Sequence, residues 1–389
     1  MDGGNETVSI PFRPRLPGAD AFRCAMVLAV VALHASMTYM RFAPQWWYVV
    51  DGDGSLLFTG AVVILDMFPM TALFLLSGYF APASLAKNGT WAFVRSKLLR
   101  LGMPWLLGVT LVAPVLARMS MRRYGLPDTT LSAFIREDFF GVWYQQGPFW
   151  FLGVLLCFML LFAALTAIFK RVAAPRKGPK PSGILVAGAL FATLLAHACW
   201  LAATGSADSW LSLAYILYFQ PARLAGYAVA FALGAYAGAG DWFGNGWRPG
   251  TVFWGILSIA SLAARIVWSF SGAPAYPGIP NIVLESATYA VAAWSTTLFL
   301  LAAFLRAGEG ADRLLRPVSP YSFWVYWWHQ PVFLTIATLL LPLGVSPYIK
   351  CPAAILVTVA VSGLPGALAR WTARQLSGRR TPPSRQPRR

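Results

Sequence analysis

Charged residues are scarce in this chain. They make up 12% of its 389 residues, against roughly 25% in a typical soluble domain. So few charges cannot cover a soluble enzyme with polar surface, and a hydrophobic share of 58% excludes an intrinsically disordered protein. The composition therefore indicates a membrane protein.

Cysteine and histidine are also rare, with four and three residues. The cysteines lie in or beside apolar runs and none forms a CxxC pair, so neither a disulfide framework nor a metal site is expected. The sequence has no Gly-rich phosphate loop, GxSxG elbow or HExxH motif in a credible context. We expect no bound metal and no permanently bound cofactor.

Long apolar runs are abundant. A bilayer core needs roughly 20 apolar residues per helix, and about ten runs approach that length. They are Ala21–Tyr39, Leu57–Phe80, Leu99–Leu116, Phe149–Phe169, Gly183–Ala203, Leu213–Ala237, Thr251–Phe270, Val283–Leu305, Tyr321–Leu341 and Ala353–Ala369. The expected fold class is all-α, a polytopic integral membrane protein with about ten transmembrane helices.

The net charge of +17 would suggest nucleic acid binding in a soluble protein. Here the Lys and Arg residues gather in alternate connections, as the positive-inside rule requires, so we expect no nucleic acid partner. The pattern places both termini in the cytoplasm. It divides the chain into an N-terminal cytoplasmic segment (1–20), a transmembrane domain (21–370) and a basic, disordered cytoplasmic tail (371–389) that rests on anionic membrane lipid.

Ionisable residues at membrane depth are functional candidates because they are costly to bury in lipid. Arg23 and His34 lie eleven residues apart in the first run, which is about three helical turns and puts both on one face. Arg23 is suited to hold a phosphate at the cytoplasmic mouth, and His34 to accept a proton deeper in the membrane. The alternative is a positive-inside anchor and a packing histidine.

Asp66 in the second run lies at a depth similar to that of His34. If the two helices are adjacent, the carboxylate can orient the imidazole and stabilise its protonated form. We therefore hypothesise a catalytic role for Asp66 as the partner of His34. Pairing of Asp66 with Arg223 or Arg265 is the open alternative.

Two segments on the predicted outer side combine aromatic rings with carboxylates and amides. APQWWYVVDGDG contains Trp47 and Asp51, and EDFFGVWYQQGPFW ends in Trp150. Such side chains suit the rings and hydroxyls of a sugar, so we expect these three residues in an acceptor site. An interfacial aromatic belt explains the same composition.

Several motifs resemble the membrane acyltransferase-3 family, in the same order along nearly the whole chain. They are the Arg-x10-His of the first run, FLLSGYF (74–80), RSKLLRLGMPW (95–105), PFWFLGVLL (148–156) and YSFWVYWWHQP (321–331). The similarity is greatest to the subgroup that succinylates periplasmic glucans. Where many members have a Glu in the fourth of these motifs, this chain continues Gly153-Val154.

The resemblance implies an O-acyltransferase of the bacterial inner membrane. Acyl-CoA, carrying a succinyl or acetyl group, is the implied co-substrate, and a carbohydrate hydroxyl outside the cytoplasm is the acceptor. It associates Arg23 and His34 with activity, and its Arg-rich cluster maps onto Arg95 and Arg100. These cations can hold the phosphates of acyl-CoA together with Arg23, and ordinary positive-inside charge is the alternative. His329 and Tyr326 match the family's Tyr-x-x-His-x-Pro pattern, which suggests that His329 takes part in catalysis and Tyr326 in acceptor binding. A structural histidine bonded to a neighbouring helix is the alternative for His329.

A carrier or flippase for a glycan or a lipid-linked sugar is the rival function. It would use the same intramembrane charges as a translocation path. An enzyme consumes a thioester, whereas a carrier moves its substrate without covalent change.

Overall fold

A computed structural model describes residues 16–126, 129–169, 181–272 and 278–378. Of the described residues, 77% are helical. Its long helices are α1 (Ala19–Tyr39), α2 (Leu56–Leu65), α3 (Pro69–Lys97), α5 (Ala113–Arg123), α7 (Trp150–Ile168), α8 (Gly183–Thr204), α9 (Pro221–Ala239), α10 (Thr251–Phe270), α11 (Ile279–Ala307), α13 (Ser322–Leu340) and α14 (Pro347–Gly378).

Short elements complete the described chain. They are α4 (Met103–Leu107), α6 (Leu131–Phe134), α12 (Glu309–Leu314), π-helical turns at Leu98–Gly102, Gly108–Val112 and Ile135–Phe139, and 3₁₀ turns at Gly147–Phe149 and Ser319–Tyr321. Strands β1 (Leu211–Leu213) and β2 (Leu217–Phe219) form an antiparallel hairpin with Ser212 opposite Tyr218. The described residues are thus almost entirely helical, as the all-α class predicts.

Seven segments of the described chain are long and apolar enough to cross a membrane. They are Ala19–Tyr39, Leu56–Arg123, Gly147–Ile168, Gly183–Thr204, Thr251–Phe270, Ile279–Ala307 and Pro347–Gln375. The second of these contains two of the predicted runs, and α9 and α13, which are rich in small or polar residues, are not among the seven. The count of ten and the cytoplasmic termini stay predictions.

The sixth predicted run was wrong at its start. Residues from Leu213 to Phe219 belong to the β-hairpin, and helix α9 begins only at Pro221. Ala214 and Tyr215 take left-handed backbone angles at the hairpin turn, with φ of 51° and 57°, which a helix does not allow. A proline at the first helical position then sets the start of α9.

The two predicted terminal segments are only partly described. Residues 1–15, which carry Arg13 and Arg15, and residues 379–389 lie outside the described chain, as do the cations at 170–180. Helix α14 continues to Gly378, so the first eight residues of the predicted tail are helical. Pro382 is the first proline after Pro365, so no proline interrupts this part of the helix.

The start of α1 is held by a side chain from the far end of the chain. Both carboxylate oxygens of Asp312 in α12 accept backbone hydrogen bonds, from Gly18 N at 3.0 Å and from Ala21 N at 3.1 Å. A carboxylate at a helix N-terminus satisfies its free N–H groups and complements its dipole. This contact ties the N-terminal end of α1 to α12.

Helices α3 and α9 approach each other at glycines. A Cβ at Gly234 would lie 2.1 Å from the carbonyl oxygen of Leu75, and one at Gly238 would lie 2.0 Å from that of Tyr79. Gly78 of α3 faces α9 in the same way, because a Cβ at this position would lie 2.1 Å from the carbonyl oxygen of Phe231. The four-residue spacing of the two α9 glycines is typical of closely packed membrane helices.

We expect Gly234→Ala to destabilise the protein by about 1–3 kcal/mol, because its methyl group forces α3 and α9 apart. Gly188→Ala in α8 is the control, since no atom lies within 4 Å of its missing Cβ. The measurement is thermal unfolding in one detergent, followed by size-exclusion chromatography. A Gly234→Ala protein as stable as the Gly188→Ala protein would contradict the close packing.

Candidate active site

A cavity of ≈ 360 Å³ lies beside the C-terminal half of α1. This volume is within the range of small-molecule sites. One part of its wall is apolar and includes Val30, Leu33 and Met70. The polar and aromatic part consists of His34, Phe42, Trp46, Asp66, Trp150, Phe151, Asp208, Trp210, Gln220, Arg223, Tyr227 and Tyr326.

Two histidines from opposite ends of the chain meet at this cavity. Nδ1 of His34 lies 2.8 Å from Nε2 of His329, and the two rings are nearly parallel, 6° apart with centroids separated by 5.0 Å. His34 lines the cavity, whereas His329 is fully buried behind it. Helices α1 and α13 thus place one histidine at the wall and a second as its support.

The hydrogen-bond chain assigns a tautomer to each neutral ring. Nδ1 of His329 lies 2.5 Å from the carbonyl oxygen of Tyr326, and because a carbonyl only accepts, this nitrogen carries the hydrogen. Nε2 of His329 is then the acceptor, so Nδ1 of His34 donates to it. Nε2 of His34 is left with its lone pair, as a general base requires.

Aromatic residues hold both rings in place. Tyr326 donates its hydroxyl hydrogen to the carbonyl of Pro148, and so connects α13 to the start of α7. Trp47 is buried, with its ring centroid 5.7 Å from that of His34 and its Nε1 donating to Thr38 Oγ1 at 3.0 Å. Packing on this scale limits ring rotation.

Asp66 lines the same cavity but pairs with a different group. Its Oδ2 lies 2.6 Å from Nη2 of Arg223, and a second carboxylate, that of Asp208, lies 3.7 Å from the same nitrogen. Arg265 pairs instead with Glu285, at 2.7 Å. Of the alternatives left open for Asp66, the structure shows Arg223, and the partner of His34 is His329.

Asp66 owes this position to a break in the helix. It follows α2 directly, and α3 begins at Pro69. The backbone carbonyl of Asp66 also lies within 3.5 Å of Arg223 Nη1. Arg223, in the first turn of α9, is buried, and the ion pair supplies the opposite charge that a buried guanidinium needs.

The four residues predicted for acceptor binding separate into three groups. Trp150 and Tyr326 line the cavity. Trp47 lies behind His34 and is not in the cavity wall. Asp51 is buried in an ion pair with Lys350, whose Nζ lies 2.9 Å from Asp51 Oδ2, so the structure places it in a fixed contact between the first loop and α14.

The three predicted acyl-CoA ligands do not line the cavity. Arg23 is exposed and pairs with Asp20 at 2.8 Å, and Arg95 and Arg100 are exposed as well. Eleven residues of helix separate Arg23 from His34, which is about 16 Å along the axis. The described structure therefore does not bring these arginines to the two histidines.

The segment between α8 and α9 adds cavity residues that the sequence analysis did not select. Asp208, Trp210 and Gln220 belong to it. The available signal was the same combination of tryptophan and carboxylate that selected Trp47 and Asp51. Part of the segment was instead assigned to a transmembrane run.

The sequence model of the acyltransferase domain of acyltransferase family 3 matches residues 16–367. No curated protein and no solved structure matches the chain. The family match confirms the resemblance seen in the sequence motifs, while the glucan subgroup stays a prediction. The match covers α1, α13 and both histidines of the pair. The chain therefore belongs to acyltransferase family 3 and is a multi-pass membrane protein.

Proposed function

We propose that this protein transfers an acyl group from acyl-CoA to a hydroxyl of a cell-envelope glycan. One observation carries the proposal. In a chain of acyltransferase family 3, the hydrogen bonds of His329 leave His34 Nε2 as a free acceptor, and His34 borders the cavity. Proton removal from a hydroxyl by a positioned imidazole is the standard way to activate an oxygen nucleophile.

His34 acts as the general base in this proposal. Its Nε2 takes the proton as the acceptor oxygen attacks the thioester carbonyl and forms a tetrahedral intermediate. The carbon–sulfur bond then breaks, and the coenzyme A thiolate receives the proton from His34. The products are a glycan ester and free coenzyme A, and the imidazole returns to its neutral state.

His329 is the positioning residue. By accepting from Nδ1 of His34 it selects the tautomer whose Nε2 is unprotonated, and it continues to accept that hydrogen bond when His34 becomes positive. Its own ring is fixed by the carbonyl of Tyr326. An orienting acceptor of this kind has the same task as the carboxylate of a catalytic triad.

The donor approaches from the Arg23 end of α1, which we place on the cytoplasmic side of a bacterial inner membrane. Arg23, Arg95 and Arg100 are exposed cations that can hold the phosphates of coenzyme A. The apolar wall formed by Val30 and Leu33 lies on α1 between Arg23 and His34. This wall suits the acyl end of an extended pantetheine arm. The acyl group is succinyl or acetyl.

His34→Ala should lower the rate of glycan acylation by about 10²–10⁴-fold, because the general base is removed. The assay uses purified protein in nanodiscs with radiolabelled succinyl-CoA or acetyl-CoA and periplasmic glucan. His197→Asn is the matched control. His197 is bonded to Ser286 at 2.9 Å and does not line the cavity, so this variant should retain labelling.

Two outcomes would contradict the proposal in different ways. Equal labelling by wild type and His34→Ala would remove His34 from the chemistry. Transport of unmodified glycan into proteoliposomes, with no thioester consumed for any donor, would identify a carrier instead.

His329→Ala should lower kcat at least about tenfold with little change in KM, because His34 loses the acceptor that sets its tautomer. His329→Gln should recover part of the loss, since its amide oxygen can accept from His34 Nδ1. We would measure kcat and KM by steady-state kinetics in which the concentrations of both substrates are varied. If Gln is as impaired as Ala although both variants fold, the positioning role of His329 is wrong.

A further inference from the structure

The segment between α8 and α9 forms one side of the cavity. Asp208 and Trp210 stand before β1, and Gln220 follows β2, so the hairpin carries cavity residues at both of its ends. None of the roles proposed above uses these side chains.

Buried hydrogen bonds fix the hairpin to the rest of the protein. Nε2 of Gln146, a fully buried side chain, donates to the carbonyl of Ile216 at 2.9 Å. Tyr144 donates its hydroxyl hydrogen to the carbonyl of Tyr215 at the turn. Gln146 also accepts from Trp105 Nε1 at 3.1 Å. These bonds hold the turn of the hairpin against the segment that precedes α7.

Trp210 belongs to an aromatic wall. Tyr218 of β2 stacks on it with a centroid distance of 5.0 Å and an angle of 15°. The ring of Trp150 packs edge to face against that of Trp210, with centroids 5.7 Å apart. The ring of Tyr227 lies on Trp150, with centroids 5.8 Å apart. Aromatic rings fixed by their neighbours in this way form a preorganised apolar surface. The C–H face of a sugar ring fits such a surface.

Asp208 supplies hydrogen-bond acceptors beside this surface. Its side chain is 85% exposed and its contact with Arg223 is long, at 3.7 Å, whereas Asp66 takes the short contact at 2.6 Å. The carboxylate of Asp208 thus keeps lone pairs for a ligand. The negative charge of Asp208 disfavours an anionic sugar unit placed against it.

We infer that Asp208 and Trp210 form the acceptor subsite and that this subsite takes an uncharged sugar unit. The sugar ring lies against Trp210, and its hydroxyls donate to Asp208. The subsite and His34 line the same cavity. This inference rests on the proposed acyl transfer, and it names the acceptor class for that reaction.

Binding of a neutral glucan oligosaccharide tests the subsite without turnover. Isothermal titration of the nanodisc protein should give at least about a tenfold weaker Kd for Trp210→Ala and for Asp208→Asn, and a smaller loss for Trp210→Phe, which keeps an aromatic face. Leu213→Ala is the matched control, because Leu213 lies on the same hairpin, is 60% exposed and does not line the cavity. It should bind like the wild type.

The dependence of affinity on the charge of the sugar is a second test of the subsite. The wild type should bind the neutral oligosaccharide more tightly than a uronic-acid oligosaccharide of equal length, and Asp208→Asn should narrow that difference. An unchanged Kd in both Trp210→Ala and Asp208→Asn, or no discrimination by charge in the wild type, would overturn the subsite. Failure of the acyl transfer itself would show separately, as absence of His34-dependent thioester consumption.

Discussion

The hydrogen bond between His34 and His329 is the interaction on which the proposed chemistry depends. It joins α1 to α13 across 295 residues of sequence at 2.8 Å. A single imidazole in an apolar wall can adopt either tautomer, and only one of these leaves Nε2 free. His329, itself fixed by the carbonyl of Tyr326, selects that tautomer. The tautomer of the His34 ring is thus set by a backbone carbonyl in another helix, acting through His329.

Close packing elsewhere keeps these groups in place. Helix α1 is held at its start by Asp312, and α3 and α9 contact each other at glycines. Arg223 near the start of α9 is paired with Asp66 at the junction of α2 and α3. In a membrane, the hydrophobic effect does not drive helices together, because lipid tails are as apolar as the side chains. Close backbone packing and polar bonds between helices take its place. These contacts fix the positions of the helices that surround the cavity.

Sequence reasoning was strongest for residues whose chemistry is costly in a membrane. It selected His34 and Asp66 from their predicted depth, and both line the cavity. Their partners could not be derived, because pairing across hundreds of residues is set by helix packing. The depth of Asp66 is compatible with His34 and with Arg223 alike, and only the structure distinguishes them. The β-hairpin was taken for helix because a short apolar run such as LAYILYF has no decisive period.

The most direct test is nitrogen NMR of the three histidines, with selective ¹⁵N labelling and His197→Asn and His329→Gln samples for assignment. We predict that His34 is neutral, protonated at Nδ1 and unprotonated at Nε2, with a hydrogen bond from its Nδ1 to Nε2 of His329. A His34 ring protonated at Nε2 in the wild-type protein would contradict it, because no lone pair would then be available to take a hydroxyl proton.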